Sequence, residues 1–406
     1  MHILLIHQAF ASLEEGGGTR HFEMARFLVQ SGHRVTIIAS PISYLSGKAN
    51  SKIRWKEIEN FGPNITVIRA FTYKTLHRSF LHRLVNFFSF MFSSFLIGLQ
   101  IAEVDLVWGT SPPIFQSATA WALSKFKRVP FLFEVRDLWP RFAVDIGVLK
   151  NRWIISASEW LERFLYTHSN LTVVNSPGFI DHVKQNGAKA VELVPNGVDT
   201  KMFDPNNKGE TFREKYHLQE RFIVLYAGAH GMANDLETLL DAAYLLRSNQ
   251  NIAFIMIGDG KDKSKLLQKA QEMRLNNVLF LPVIPKTEIP EALAAANACI
   301  AILKPIESFK TTYPNKVFDY MAAGRPIILA IDGVIRDVVE TARAGIAVQP
   351  GNPQEIAEAV NTLLNNPAES VLMGINGRTC VEQFYERAQL TQKFVGLLES
   401  LRNSND

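Results

Sequence analysis

Lys316 and Asp319 stand three residues apart where a polar loop beginning at Glu307 runs into a helix-like stretch. That spacing places an ammonium and a carboxylate on one helix face. A carboxylate accepts hydrogen bonds from both hydroxyls of a ribose, and a lysine meets phosphate as a point charge. The pattern therefore suits a nucleotide, and the plain alternative is a surface salt bridge. Ala322, Ala323 and Gly324 follow, small enough to let this helix lie close to a sheet.

A second cluster, Arg136-Asp137, ends an apolar run in Glu134-Val-Arg-Asp-Leu-Trp-Pro140. Such a pair at the carboxyl end of a strand suits anion binding or proton transfer. A structural ion pair is the alternative.

Two glycine loops complete the chemistry. Gly16, Gly17 and Gly18 follow the first apolar run and precede helical periodicity, so backbone N–H groups there can approach a phosphate closely. The loop is not the dinucleotide fingerprint, because His21 occupies the third glycine position and Ser40 ends the second strand. Nor is it a Walker loop, because no Gly-Lys-Ser/Thr follows. Gly228-Ala-His230-Gly231 holds the matching place in the second half, where His230 can donate to a phosphate or a sugar hydroxyl. A lone histidine is as readily structural.

These groups need strands and helices to hold them. Apolar strand-like runs occur at 2–7, 35–39, 65–70, 105–108, 131–135 and 171–175, with helical stretches between, including 19–30. The series restarts at 222–227 and continues at 253–257, 278–281, 298–302, 326–330 and 346–348, with a helix near 235–247. Continuous Val/Ile/Leu runs alternating with helices predict parallel strands covered on both faces. The expectation is an α/β chain of two doubly wound, Rossmann-like domains facing across a cleft. Their join is expected near 195–210, which is rich in turn formers. The ligand belongs at the carboxyl ends of the strands.

Length and composition agree. With 406 residues, two domains are the natural count, and 47% hydrophobic against 20% charged residues suits large cores. Two cysteines, Cys299 and Cys380, build neither a disulfide framework nor a zinc cluster, which points to a reducing compartment. The first ten residues read as a strand, without the basic leader of a signal peptide. Residues 80–102 approach a membrane span but are interrupted by His82, Arg83, Asn86 and Gln100, the pattern of a partly exposed amphipathic segment.

Residues 1–195 carry 21 Lys+Arg against 14 Asp+Glu, and residues 196–406 carry 22 against 25. The basic first half suits an anionic partner, phospholipid or lipid pyrophosphate, or simply reflects surface scatter. Nucleic acid is disfavoured by the acidic second half and by the lack of a basic-aromatic motif.

Taken together, Pro195-Asn-Gly-Val-Asp199 with Phe203, Gly258-Asp-Gly260 and Asp319-Tyr-Met-Ala-Ala-Gly-Arg-Pro326 resemble the family 4 retaining glycosyltransferases of GT-B fold. Arg136-Asp-Leu-Trp-Pro140 and Pro314-Asn-Lys316 resemble the subgroup that builds O-antigens and capsules, including L-fucosamine transferases. The likeness spans nearly the whole chain.

It implies an acceptor-binding domain at 1–195, a nucleotide-sugar-binding domain at 196–384, and a helix at 385–406 returning to the first domain. It implies a UDP-linked N-acetylhexosamine or deoxy-aminosugar donor, a polyprenyl-pyrophosphate-linked acceptor, and retention of configuration. No metal or other cofactor is expected. The implied place is cytoplasmic, on the inner face of the membrane, touched through residues 76–102. A nucleotide-sugar epimerase of the same fold is the alternative.

By the same resemblance Gly16–Gly18 lie near the donor phosphates, and Asp319 holds the ribose. The family's phosphate-binding arginine and lysine align with Ala229 and Asn234, so Lys316, with His230 or Arg325, must supply that charge. The family's paired glutamates align with Thr311 and Asp319, and Glu307 lies four residues before Thr311. Its His-Asp pair reads Arg136-Asp137, which makes Asp137 the candidate base. Donor contacts are thus expected from Gly16, Gly17, Gly18, His230, Gly231, Thr311, Lys316, Asp319 and Arg325, and catalytic contacts from Arg136, Asp137 and Glu307.

Overall fold

The computed structural model describes residues 1–15, 18–43, 47, 49, 53–74 and 80–403. The chain divides into two compact units. One comprises Met1–Ser12, Gly17–Pro195 and Ala388–Asp406, and the other Leu13–Gly16 and Asn196–Arg387.

In the first unit the described strands are β1 (His2–Ile6), β2 (Arg34–Ala39), β3 (Lys56–Asn60), β4 (Ile65–Ala70), β5 (Leu106–Ser111), β6 (Phe131–Val135), β7 (Leu171–Val174) and β8 (Val191–Leu193). They form one sheet in the order β3-β4-β2-β1-β5-β6-β7-β8. All neighbours are parallel except β3 and β4. The central strands are buried along their whole length because they are apolar on both faces.

Two strands escape the sequence signal. β3 (KEIEN) is an edge strand whose one aliphatic residue, Ile58, is exposed, so it lacks apolar alternation. β8 is three half-buried residues.

Helix Phe80–Leu99 is long and apolar enough to cross a membrane by composition alone. One face of it, with Phe87, Phe90 and Ile97, is buried in the first unit's core. Leu81, Val85, Phe88, Phe92 and Leu99 face outward. Buried Asn86 accepts a 2.7 Å hydrogen bond from the Gln8 side chain. The last helix, Arg387–Asn403, places Phe394 against the fully buried Trp108, with ring centroids 4.9 Å apart.

The second unit holds β9 (Phe222–Ala227), β10 (Ile252–Ile257), β11 (Val278–Leu281), β12 (Ala298–Ile302), β13 (Ile327–Ala330) and β14 (Gly345–Ala347). Among the described residues they pair in parallel as β11-β10-β9-β12-β13-β14. This is the doubly wound order, which reverses direction between β9 and β12. Ligands of such sheets bind beyond the strands' carboxyl ends at that reversal. In the first unit the same reversal lies between β1 and β5. Each unit is therefore a Rossmann-like α/β layer structure.

Candidate functional site

The second unit's candidate site is built on three turns and a helix start. β9 ends at Ala227 and the chain turns through Gly228–Asn234. β10 ends at Ile257, and Gly258-Asp259-Gly260 packs directly on that first turn. A Cβ on Gly258 would collide with the Gly228 carbonyl, and one on Gly260 would stand 2.5 Å from the His230 carbonyl. Only glycine permits this backbone-on-backbone stacking. The backbone N–H of His230 donates to the Asp259 carbonyl at 2.8 Å, which ties the turns together. Lys263 Nζ donates to the carbonyls of Gly258 and Leu281, at 2.6 and 3.0 Å.

Helix Asn315–Ala322 begins beside these turns. Tyr320 fixes it, its hydroxyl accepting from Ala227 N–H at 2.9 Å. Lys316 Nζ lies 4.0 Å from the Tyr226 ring centroid and donates to the Tyr226 hydroxyl at 2.8 Å and to Asn234 Oδ1 at 3.4 Å. The Tyr226 hydroxyl donates its own hydrogen to the Ala229 carbonyl at 2.7 Å. Among the described residues Lys316 has no carboxylate partner. Desolvation lowers its pKa from the usual lysine value to about 7.

The other expected donor residues have their own surroundings among the described residues. Asp319 does not pair with Lys316. Its Oδ2 accepts from Lys286 Nζ at 2.6 Å, with both side chains largely buried. His230 is fully buried, and neither ring nitrogen has a hydrogen-bond partner among the described residues. Burial, with Lys263 and Lys316 adding to it, brings its pKa down to about 4, so the ring is neutral at pH 7. Gly231 has open space around it. Thr311 lies in the short 3-10 turn Glu307–Thr311 and donates to the Ser308 carbonyl at 2.6 Å.

Glu307 and Arg325 stand apart from the Lys316 group. The Glu307 side chain is 78% exposed and bonds Lys310 at 2.7 Å, an i,i+3 surface pair with no buried contact. Arg325 follows the far end of the helix and precedes β13, so it lies at the sheet's amino-terminal edge. There its guanidinium donates to the Asn207 carbonyl at 2.9 Å. Because all six strands point the same way, that edge is opposite the carboxyl-end turns. The compensating charge expected from Arg325 is therefore not beside Lys316, and Lys263 and Lys316 are the cations there. Tyr226 is the partner that sequence reasoning missed; its signal was a polar-tipped aromatic ending a buried strand.

The first unit carries a different arrangement. Gly16 and Gly17 lie outside the described residues, as do residues 76–79 of the expected membrane-touching segment. Gly18 lies alongside Arg136, whose Nη2 would be 3.9 Å from a Cβ at that position. Arg136 Nη1 donates to His7 Nε2 at 3.1 Å. No ion pair joins Arg136 to Asp137 among the described residues. The half-buried Asp137 carboxylate has no hydrogen-bond partner there, and burial raises its pKa to about 6 although Arg136 opposes the rise.

Behind them is a cluster that the sequence alone did not assign. Glu134 accepts from Arg20 Nε at 3.1 Å and His21 Nε2 at 2.5 Å. All three are buried. Arg20 also donates to the carbonyls of Pro195 and Val194 at 2.8 and 3.1 Å. Burial alone would raise the Glu134 pKa, but His21, Arg20 and Arg136 outweigh it and hold the carboxyl well below its usual range. Desolvation outweighs Glu134 at His21 and lowers that pKa to about 4. No group of three or more His, Cys, Asp or Glu side chains is placed to hold a metal ion among the described residues.

Residues 15–202 match the family described as Glycosyltransferase Family 4, and residues 221–366 match Glycosyl transferases group 1. The chain is 23% identical over 412 aligned positions to the putative colanic acid biosynthesis glycosyl transferase WcaI of Escherichia coli, covering 97% of this chain and 99% of that one. It is 22% identical to the probable glycosyltransferase WbjE of Pseudomonas aeruginosa, over 77% and 79% of the two chains. Among solved structures, sucrose-phosphate synthase from Thermosynechococcus elongatus superposes with a TM-score of 0.80 at 18% identity, covering 99% of both chains. Anabaena HepE in complex with UDP and glucose gives 0.74 at 17%, covering 98% of this chain and all of that one. The structural likeness establishes the fold, and the family matches lend no support to an epimerase.

Proposed function

The chain belongs to the glycosyltransferases that join a family 4 first domain to a group 1 second domain, and from that premise we propose that it transfers a sugar from a UDP-linked donor to a lipid-linked saccharide during surface-polysaccharide synthesis, with the anomeric configuration retained. The observation that carries this reading is Lys316: a desolvated ammonium at the strand-order reversal, held by neutral partners and left without a carboxylate. Departure of the diphosphate from the anomeric carbon builds negative charge on its oxygens. A preorganised cation in a partly dry site stabilises that charge more in the transition state than in the ground state. The reading asks for no cofactor, because Lys316 meets that charge. Asp319, oriented by Lys286, keeps Oδ1 to accept from a ribose hydroxyl.

The first unit supplies the acceptor side. Asp137, with its raised pKa and unpaired carboxylate, is the candidate base. A donor of N-acetylhexosamine or deoxy-aminosugar type fits the polysaccharide role of the relatives, one of which is named for colanic acid synthesis. A polyprenyl-pyrophosphate acceptor brings the protein to the cytoplasmic face of the membrane. The outward face of Phe80–Leu99, with Phe88 and Phe92 exposed, supports that docking. Flotation with anionic liposomes checks it: Phe88→Ser with Phe92→Ser is expected to lower the bound fraction, and unchanged binding rejects the surface.

The decisive experiment is nucleotide release from a panel of UDP-, GDP- and dTDP-sugars, with and without membranes carrying polyprenyl-linked saccharides. Acceptor-dependent release of UDP that Lys316→Ala and Asp319→Ala abolish supports the reading. Release of a different nucleotide corrects the donor, and no release from any donor refutes the proposal.

A further inference from the structure

His7 follows β1 on the sheet's carboxyl side, and Arg136 follows β6 on that same side. His7 is almost completely buried, yet nothing in the transfer reaction so far uses it. Its Nε2 receives the Arg136 Nη1 donor at 3.1 Å, which requires the lone pair on Nε2 and the proton on Nδ1. Burial, with the charges of His21 and Arg136 adding to it, keeps the ring neutral and that lone pair available. The ring is itself clamped. His21 lies 4.2 Å away centroid to centroid, and Glu134 and Arg20 anchor His21 from behind.

The result is a half-buried guanidinium fixed by one nitrogen only. Among the described residues its Nε and Nη2 N–H groups have no partner, and Nη2 lies alongside Gly18, 3.9 Å from where a Cβ would stand. An arginine left with unpaired donors in a fixed plane is built to meet two oxygens of one anion.

We infer that His7 is a positioning residue, one that holds Arg136 by its Nη1 so that the remaining N–H groups bind phosphate oxygens beside Gly18. The inference rests on the glycosyl-transfer reading for which phosphate is meant. The donor diphosphate and the pyrophosphate of a lipid-linked acceptor offer the same oxygens.

The test separates binding from turnover. Inorganic pyrophosphate is titrated calorimetrically into the full-length Lys316→Met protein, which removes the second unit's desolvated lysine, and then into that background carrying His7→Leu, His7→Gln or Arg136→Lys. His7→Leu is expected to weaken binding about tenfold, the worth of a fixed hydrogen bond. His7→Gln, which keeps an acceptor near the Nε2 position, is expected to stay within about threefold. Arg136→Lys keeps the charge but loses the planar fork, and is expected to weaken binding at least as much as His7→Leu. If His7→Leu fails to fold, the Arg136→Lys result decides.

Equal binding in all variants, or no saturable pyrophosphate binding in the Lys316→Met parent, overturns the inference without touching the transfer reaction. In turnover with Lys316 intact, His7→Leu is expected to raise one KM about tenfold and leave kcat within about twofold. A raised donor KM assigns the phosphate to the nucleotide sugar, and a raised acceptor KM assigns it to the lipid. A fall in kcat with both KM values unchanged rejects the positioning role.

Discussion

The two units share a winding pattern but handle charge in opposite ways. In the first, Glu134, Arg20 and His21 are knitted together below the surface, the carboxylate answered by the guanidinium, and this cluster backs the His7 ring that holds Arg136. In the second, among the described residues, Lys316 is met only by a phenol and an amide, and the turns around it are shaped by glycine. Burying a charge is costly unless it is paired. A network that is already paired mainly holds geometry, while an unanswered cation keeps its capacity for a ligand. The difference teaches that the first unit's cation is braced from behind by a paired, buried cluster, while the second unit's cation stands on neutral partners alone.

The largest expected effect tests the bracing. Glu134→Ala leaves Arg20 and His21 buried without their carboxylate, and is expected to cost about 3–5 kcal/mol in urea unfolding. A loss below about 1 kcal/mol would place this cluster with ordinary surface pairs. Because the Glu134 pKa is held below its unfolded value, its contribution is present above the ordinary carboxylate range and is lost as pH falls through the folded value. Stability attributable to Glu134 is therefore expected to be flat from pH 6 to 8.

Next in size, Lys316→Met is expected to lower kcat/KM by about 10²–10³-fold, as loss of one preorganised charge-stabilising donor does. Its melting temperature should hold or rise, since a desolvated ammonium is removed. A lowered melting temperature with little loss of activity would make Lys316 structural and erase the contrast between the units.

Asp137→Asn is expected to lower kcat by about 10²-fold, the contribution of a general base. The wild-type rate should fall as pH drops through about 6, because the base must be ionised and burial has raised its pKa. Persistence of that acid limb in Asp137→Asn assigns it to another group.

The smallest effect is a pH slope in UDP binding. Lys316 has a pKa of about 7 without ligand, and a bound diphosphate raises it, so binding takes up a proton. Affinity is expected to weaken by up to about tenfold per pH unit between pH 7.5 and 9. Calorimetry with Lys316→Met should lose the slope. A slope unchanged in that variant moves the proton uptake elsewhere.

Much of this molecule was legible before any coordinates. The strand runs FIVLYA, IAFIMI and VTIIA are buried on both faces, and such runs announce themselves by continuous apolarity. The strand-end placement of Arg136-Asp137 and of the two glycine turns was readable for the same reason, because the loops are what remains between such runs. Strand β3 was not, since an exposed edge strand imposes no apolar period on its residues. Tyr226 was hidden inside a strand whose other residues are core.

The amino-acid order by itself determined the class of each unit, the parallel sheets and the residues available at the strand ends, because hydrophobic period and turn chemistry act locally along the chain. It could not say which of those residues meet. Lys316 and Asp319 share a helix face, yet one turns to Tyr226 and the other to Lys286. Arg325 sits only nine positions after Lys316, but the helix between them runs from one edge of the sheet to the other. Glu134 meets Arg20 and His21, and Arg136 meets His7, across more than a hundred positions of chain, only where the strand ends converge. Partnership over such separations depends on strand order and helix direction, which exist only once the chain has folded.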